Sequence, residues 1–169
     1  MEPPELLLDV AIEPLVKSHV VRDFDCENGD INQHIHRFAK KNTVAGFGRA
    51  YVLVKPGHSC VWAYYTLAAY SIDASEFHSL DNCPQKVSVA LLGRFGVDKV
   101  LKKQGYGDRL MADVFSRALD AADVIGIHAV FLNAKNRKLA SHYSKYGFMS
   151  LPDNILNMSI AIKTLRSAE

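Results

Sequence analysis

Two short stretches of the chain combine residue types able to do chemistry. The first is Leu91–Gly107, LLGRFGVDKVLKKQGYG, which runs directly into DRLMADVFSRAL. A buried strand ends there, a short loop of Lys102, Lys103, Gln104, Gly105, Tyr106 and Gly107 follows, and a helix begins at Asp108. Glycine lets a backbone approach a ligand closely and adopt positive φ. The first turn of a helix offers unpaired N–H groups and partial positive charge, so strand, glycine loop and helix together make an anion site. Two lysines add charge, and a pyrophosphate would fit. Taken alone, the GxG is equally a tight turn with solvated lysines. It is neither a dinucleotide GxGxxG, because Leu110 stands where the third glycine belongs, nor a P-loop, because no GK[ST] closes it.

The second stretch is Asn136–Phe148, NRKLASHYSKYGF. Its spacing sets Asn136 and Tyr143 two turns apart on one face of a short helix. A tyrosine hydroxyl, with a pKa near 10, is able to protonate a thiolate leaving group whose conjugate acid lies near 8.5. Without further context Tyr143 reads more readily as a packing residue.

The elements that position these residues follow from period and punctuation. Residues 10–21 are mixed, and AIEPLV within them reads as a first strand or a loop. From Asn28 the pattern is helical, with Asn28 or Asp30 as cap and Ile31, Ile35 and Phe38 on the apolar face. Gly46 and Gly48 stop that helix. Arg49–Lys55 and Val61–Ile72 read as a hairpin around Pro56-Gly57. A polar loop spans 73–86, and Val87–Val97 is a third strand interrupted by Gly93 and Gly96. A helix runs from Asp108 to about Val124 with a stripe of Leu110, Met111, Val114, Ala118 and Ala121. His128–Ala134 is a strand, Arg137–Lys145 a helix stopped by Gly147, and 155–165 a closing strand. The implied class is α/β (α+β), a mixed sheet flanked by helices, in a single domain over residues 1–169.

Composition bounds the class. The chain is 49% hydrophobic and 22% charged, ordinary for a globular protein, which excludes a disordered or collagen-like chain. Cys26, Cys60 and Cys83 are odd in number and form no CxxC pair, so they read as reduced, partly buried thiols. No histidine pair has metal-ligand spacing, and no metal is expected. His58 and His78 read as solvent-facing, His128 as structural. MEPPELLLDVAIEP lacks the pattern of a secretory signal, and the most apolar stretch is too short to span a bilayer, so a cytoplasmic protein is expected.

Together the two stretches resemble the Gcn5-related N-acetyltransferase (GNAT) superfamily, whose pyrophosphate loop reads [R/Q]xxGx[G/A] and whose C-terminal half carries Asn, Tyr and Gly-Phe in that order. Here Lys102 stands in the first position, keeping charge but not the arginine fork. RDFDCENGDINQHI, GRAYVLV, WAYYTLAAYSI, VALLGRFGVDK and YGFMSLPDN resemble, in order, one branch of it, the GNAT toxins of bacterial type II toxin–antitoxin modules. Glu27 where glycine is usual, Phe95-Gly96 where Leu-Ala is usual, and the lysine-rich loop depart from that branch. The likeness runs from about Arg22 to Lys163.

That resemblance implies a GNAT fold with strands splayed at an acetyl-coenzyme A site. It implies acetyl transfer from acetyl-coenzyme A to the α-amino group of aminoacyl-tRNA, blocking translation. Phe95, Gly96 and Val97 would hold the pantetheine arm through their backbone. Lys102, Lys103, Gln104, Gly105, Tyr106, Gly107 and Asp108 would hold the pyrophosphate, with Gly107 as well as Gly105 using positive φ. Asn136 would hold the cosubstrate or the helix, and Tyr143 would protonate the coenzyme A sulfur. Expected partners are a ribbon-helix-helix antitoxin and a second copy of the chain, with no membrane. No carboxylate or histidine stands out as general base. An α-amine, with pKa near 7.7–8.0, needs less help than lysine near 10.4, which mildly favours an α-amine acceptor.

RNA contact is expected at His34, Arg37 and Lys41, spaced i, i+3, i+7 on the first helix, with Lys40, Arg49 and Arg94 adding charge; clustered cations are the footprint of phosphate contact. The other readings are an acetyltransferase of a small amine or protein amino group, and an inactive acyl-coenzyme A- or RNA-binding module.

Overall fold

The structure, a computed structural model, describes residues 9–77 and 80–169. His78 and residues 1–8 of the N-terminal segment lie outside the described residues. The chain divides into two compact units, Met1–Ala68 with Arg94–Asp113, and Ala69–Gly93 with Val114–Glu169. Among the described residues seven strands, β1 (Ala11–Pro14), β2 (Arg49–Val54), β3 (Ala63–Asp73), β4 (Lys86–Val97), β5 (Ala129–Asn133), β6 (Met149–Ser150) and β7 (Asn157–Ala161), are hydrogen-bonded in the order β1-β2-β3-β4-β5-β7-β6.

In the first unit β1 (Ala11–Pro14) and β2 (Arg49–Val54) pair antiparallel, and β2 pairs antiparallel with β3 (Ala63–Asp73) through Tyr51↔Tyr65 and Val52↔Tyr64. Val52, Leu53 and Val54 are all buried, the run of apolar residues expected of a strand covered on both faces. α1 (Gly29–Gln33) is capped by the Asn28 side chain, which accepts from the Asp30 and Ile31 N–H groups at 3.1 and 3.2 Å. Of the two candidate caps the chain uses Asn28.

The first helix is not regular. His34–Phe38 forms a π-turn before α2 (Ala39–Ala45). A π-turn adds one residue to the helical period, so the buried stripe steps from position 38 to 39. Ile35 and Ala39 are each 1% exposed, whereas Phe38 is 45% exposed. This corrects the expected Ile31–Ile35–Phe38 face. Gly46, at φ +81°, ends α2 as the sequence implies. The core of this unit gathers Leu15, Phe24, Cys26, Ile35, Ala39, Ala50, Val52, Val54, Val61 and Tyr64.

β4 (Lys86–Val97) runs through Gly93 and Gly96 without a break. α3 (Tyr106–Val124) begins two residues earlier than expected, and Leu110, Met111, Val114 and Ala118 are fully buried along it; Ala121 is only half-buried.

In the second unit β4 pairs parallel with β5 (Ala129–Asn133) from Val89↔Ala129 to Leu91↔Phe131, and β5 pairs antiparallel with β7 (Asn157–Ala161). The short β6 (Met149–Ser150) lies on β7. Between β5 and β6 stands α4 (Arg137–Ser144). The expected strand over 155–165 is shorter, because the chain turns into α5 (Ile162–Ser167). Met158 and Ile160 alternate inward as strand residues, then Ile162 and Leu165 are buried at helical spacing. Ile72, Val89, Ala129, Phe131 and Leu151 form this unit's core.

Candidate functional site

The glycine loop of the first unit is held by a turn 73 to 76 residues upstream in the chain. Asp98 is 2% exposed; its carboxylate accepts from the Asp25 N–H and the Val100 N–H, each at 3.0 Å. Asp25 in turn accepts from the Glu27 N–H at 2.8 Å and from the Asn32 side chain at 2.9 Å, and pairs with Lys99 at 3.1 Å. The Glu27 hydrogen bond first, then those of Asn32 and Lys99, hold the Asp25 carboxyl down at about 2. The Cys26 N–H donates to the Asn32 Oδ1 at 3.0 Å, and burial pushes the Cys26 thiol up. Sequence reasoning missed this network. Its signal was the run of Asp and Asn in DFDCENGDIN, residues whose short side chains bond nearby backbone.

The loop's cations divide. Lys102 donates to the Cys26 carbonyl at 2.8 Å and to the Glu27 carboxylate at 3.2 Å, so it ties the loop to the turn. Lys102, expected at the pyrophosphate, is thus hydrogen-bonded within the fold. Gln104 likewise donates to the Val100 carbonyl at 3.1 Å. Lys103 is exposed, takes φ +62°, and has no partner among the described residues. Gly105 takes φ +87° with open space where a Cβ would stand. Gly107 is different: it lies inside α3 without positive φ, so its expected left-handed turn is not made. Tyr106 is 8% exposed and Asp108 is exposed in the first turn. Along β4, Phe95 and Val97 are half-buried. A Cβ on Gly96 would meet Ile31 at 3.0 Å and the Cys26 sulfur at 3.2 Å, so glycine there lets the strand approach α1 and the turn.

In the second unit the Asn136 side chain caps α4, accepting from the Leu139 N–H at 2.9 Å. Of its two expected roles, holding the helix is the one that the geometry displays. Tyr143 lies edge-on to the buried Phe148 ring, centroids 6.2 Å apart, and burial raises its hydroxyl pKa. The phenol therefore stays protonated at neutral pH. His142, exposed, sits between the rings of Tyr143 and Tyr146. His128 packs edge-on to Phe77, a structural role.

The basic helix is only partly available. His34 is 7% exposed, lies parallel to the Tyr64 ring, and is 3.4 Å from its hydroxyl. Burial, with the positive charge of Arg94, lowers its pKa to about 4, so it is neutral at physiological pH. The π-turn thus removes His34 from the expected RNA-facing set. Lys40 donates to the Lys17 and His19 carbonyls at 2.9 and 2.7 Å and is committed internally. Arg37, Lys41, Arg49 and Arg94 are exposed; among the described residues the side chains of Arg37 and Lys41 have no hydrogen-bond or ion-pair partner. No group of three His, Cys, Asp or Glu able to hold a metal occurs among the described residues, nor any helix long and apolar enough to cross a membrane.

No protein-family model matches the chain. A curated relative from Mycobacterium tuberculosis (strain ATCC 25618 / H37Rv), named tRNA-acetylating toxin, is 28% identical over 149 residues, 87% of this chain and 89% of the relative. The probable toxin TacT of Sinorhizobium fredii (strain NBRC 101917 / NGR234) is 29% identical over 168 residues, 92% of this chain and 93% of the relative. Over most of its length the chain is similar to these toxins. It shares their GNAT-type fold. The solved structure of AtaTR bound with acetyl-coenzyme A superposes with a TM-score of 0.85 at 25% identity, covering 95% of this chain and 98% of that one. A structure of an AtaT variant bound to the C-terminus of the antitoxin AtaR and acetyl-coenzyme A gives a TM-score of 0.80 at 24% identity, covering 95% and 97%.

Proposed function

We propose that this chain is the toxin of a toxin–antitoxin module and moves acetyl from acetyl-coenzyme A to the α-amino group of aminoacyl-tRNA. The observation that carries the reading is the loop of Lys103 and Gly105 opening on the first turn of α3, in a chain related over most of its length to a tRNA-acetylating toxin. The loop fits a pyrophosphate: it has an exposed cation, open space at Gly105, and the N-terminal turn of a 19-residue helix.

The residues divide the work. Lys103, Gly105, Tyr106, Gly107 and Asp108 hold the pyrophosphate through backbone N–H groups and one ammonium, while Lys102 and Gln104 fix the loop's shape. The backbone of Phe95, Gly96 and Val97 holds the pantetheine arm. Asn136 caps the helix that carries Tyr143. As the acceptor nitrogen bonds to the acetyl carbon and the carbon–sulfur bond breaks, Tyr143 gives its hydroxyl proton to the departing sulfur, and the proton that the new amide nitrogen sheds returns through water to the tyrosinate. The α-ammonium loses its proton to water beforehand, which its pKa near 7.7–8.0 allows at neutral pH. Arg37, Lys41, Arg49 and Arg94 contact tRNA phosphates.

Three further parts follow from the toxin reading: a ribbon-helix-helix antitoxin, a homodimer, and residence in the cytoplasm, where aminoacyl-tRNA is found. The deciding experiment is mass spectrometry of a charged tRNA mixture incubated with the protein and acetyl-coenzyme A. A mass gain of one acetyl group on the amino acid, absent from uncharged tRNA, is expected. Transfer to a polyamine or peptide with none to charged tRNA would reject the reading.

A further inference from the structure

The π-turn that withdraws His34 also brings an aromatic side chain out. At about 100° per residue, Phe38, Lys41, Val44 and Ala45 fall on one side of α2 and its entry, opposite the buried Ala39. All four are exposed, as is Arg37 immediately before them. Phe38 is 45% exposed and Val44 91% exposed.

Beyond the helix stands a second ring. The Gly46 N–H donates to the Thr43 carbonyl at 3.2 Å and the Phe47 N–H to the Asn42 carbonyl at 2.9 Å, the crossed bonds that finish a helix with a left-handed glycine. An apolar residue in the position of Phe47 ordinarily folds back onto the last turn of its helix. Phe47 does not; it is 76% exposed. Gly48 follows at φ +153°, where a Cβ would come within 3.3 Å of the Leu67 carbonyl, so the backbone is drawn to β3 while the Phe47 ring faces solvent.

Along this stretch of the chain the charge has one sign. From Ile31 to Ala68 the chain carries Arg37, Lys40, Lys41, Arg49 and Lys55, and not one Asp or Glu. Exposed rings interleaved with cations match a single-stranded nucleic acid: phosphates meet the cations while unpaired bases stack on the rings. A protein interface of ordinary size needs a continuous apolar centre, and here Lys41 stands between Phe38 and Val44.

We propose that Phe47 and Phe38 are stacking platforms for unpaired bases of the tRNA substrate. The proposal rests on the tRNA reading above and adds to it the aromatic half of the surface. Its test is fluorescence anisotropy of labelled uncharged tRNA with the full chain, across a salt series, for the parent and for Phe47→Ala, Phe47→Leu, Phe47→Trp and Phe38→Ala. Phe47→Ala weakens binding by about fivefold to a hundredfold, the scale of one stacked base. It leaves the salt slope unchanged, because no phosphate contact is lost. Phe47→Leu does not restore affinity. Phe47→Trp does, and its fluorescence is quenched by tRNA; Trp62, 4% exposed, contributes a constant background. Phe38→Ala shows a loss of the same kind.

Parental affinity in both alanine variants, or full rescue by leucine, overturns the proposal. So does a change in sedimentation with tRNA affinity unchanged, which makes the face an interface between copies of the chain. If the parent binds acetyl-coenzyme A but neither uncharged nor charged tRNA at any salt, the tRNA reading itself fails. If the parent binds tRNA and only the ring substitutions are silent, that reading stands and the stacking platform alone is lost.

Discussion

Two clusters of cations in the first unit look alike along the chain and are used in opposite ways. Around the first helix, Lys40 is committed to the carbonyls of Lys17 and His19, while Arg37 and Lys41 face solvent. Around the glycine loop, Lys99 is paired with Asp25 and Lys102 with Cys26 and Glu27, which leaves Lys103. In each cluster the committed lysines meet acceptors contributed by distant chain. The residues that remain are those the backbone turns outward: Lys103 by its left-handed φ, Arg37 and Lys41 on the exposed side of the first helix. A positive residue in a sequence is thus a candidate for two jobs, bracing the fold or meeting a ligand, and its acceptor decides between them.

The largest expected effect lies outside both clusters and supplies the reference for loss of chemistry alone. Tyr143→Phe lowers turnover by about 10²–10⁴, the range of general acid catalysis, with acetyl-coenzyme A affinity kept. Single-turnover kinetics and calorimetry on one sample check both halves. Parental turnover would make Tyr143 a packing residue.

Next comes the contrast within the helix. Arg37→Glu with Lys41→Glu weakens tRNA binding strongly and lowers the salt slope by about 0.7–0.9 for each lost contact. Lys40→Met lowers the melting temperature, since it strips the Lys17 and His19 carbonyls of their donor, and leaves the salt slope as in the parent. Equal slopes for the glutamate double variant and the parent would erase the distinction.

The loop offers the same contrast at smaller amplitude. Lys103→Met weakens acetyl-coenzyme A binding in a salt-sensitive way without altering thermal stability, the behaviour of an exposed phosphate contact. Lys102→Met lowers thermal stability, and its binding defect is insensitive to salt. Calorimetry and melting curves across a salt series separate them; an interchange of the two patterns would reverse the assignment of the lysines.

The smallest effect concerns pH. His34 has a folded pKa of about 4, below its ordinary 6.5, so the unfolded chain binds the proton more readily. Its contribution to stability is complete above about pH 6.5 and is lost as pH falls toward 4, at no more than about 1.4 kcal/mol per pH unit. The Asp25 carboxyl adds a second loss at lower pH, as the pH falls from the ordinary carboxylate range toward 2. Melting curves from pH 7 to pH 4 show the first slope in the parent and its disappearance in His34→Gln. An unchanged slope in that variant would place His34 in solvent.

Much of this was legible without coordinates. The capping Asn28, the stop at Gly46, the β2–β3 hairpin around Pro56-Gly57 and the buried stripe of α3 follow from local rules of spacing and propensity, which act within a few residues. So do the left-handed turn at Gly105 before a helix and the short helix bearing Tyr143. Those rules left the cap open between Asn28 and Asp30, and the Asn28 side chain makes the bonds.

Tertiary structure decided what local rules leave degenerate. An amphipathic pattern with both Phe38 and Ala39 accepts a regular helix or a π-turn; packing of Ile35 and Ala39 in the core with Phe24 and Tyr64 selects the latter and so buries His34 while exposing Phe38. The strand expected over 155–165 became strand and helix because Ile162 and Leu165 had a core to enter. Lys102 and Lys103 are adjacent and chemically identical, and no local rule tells them apart. What separates them is a carbonyl and a carboxylate from residues 26 and 27, brought to Lys102 by folding; a hydrogen bond needs its acceptor within about 3 Å, and sequence distance does not encode that proximity.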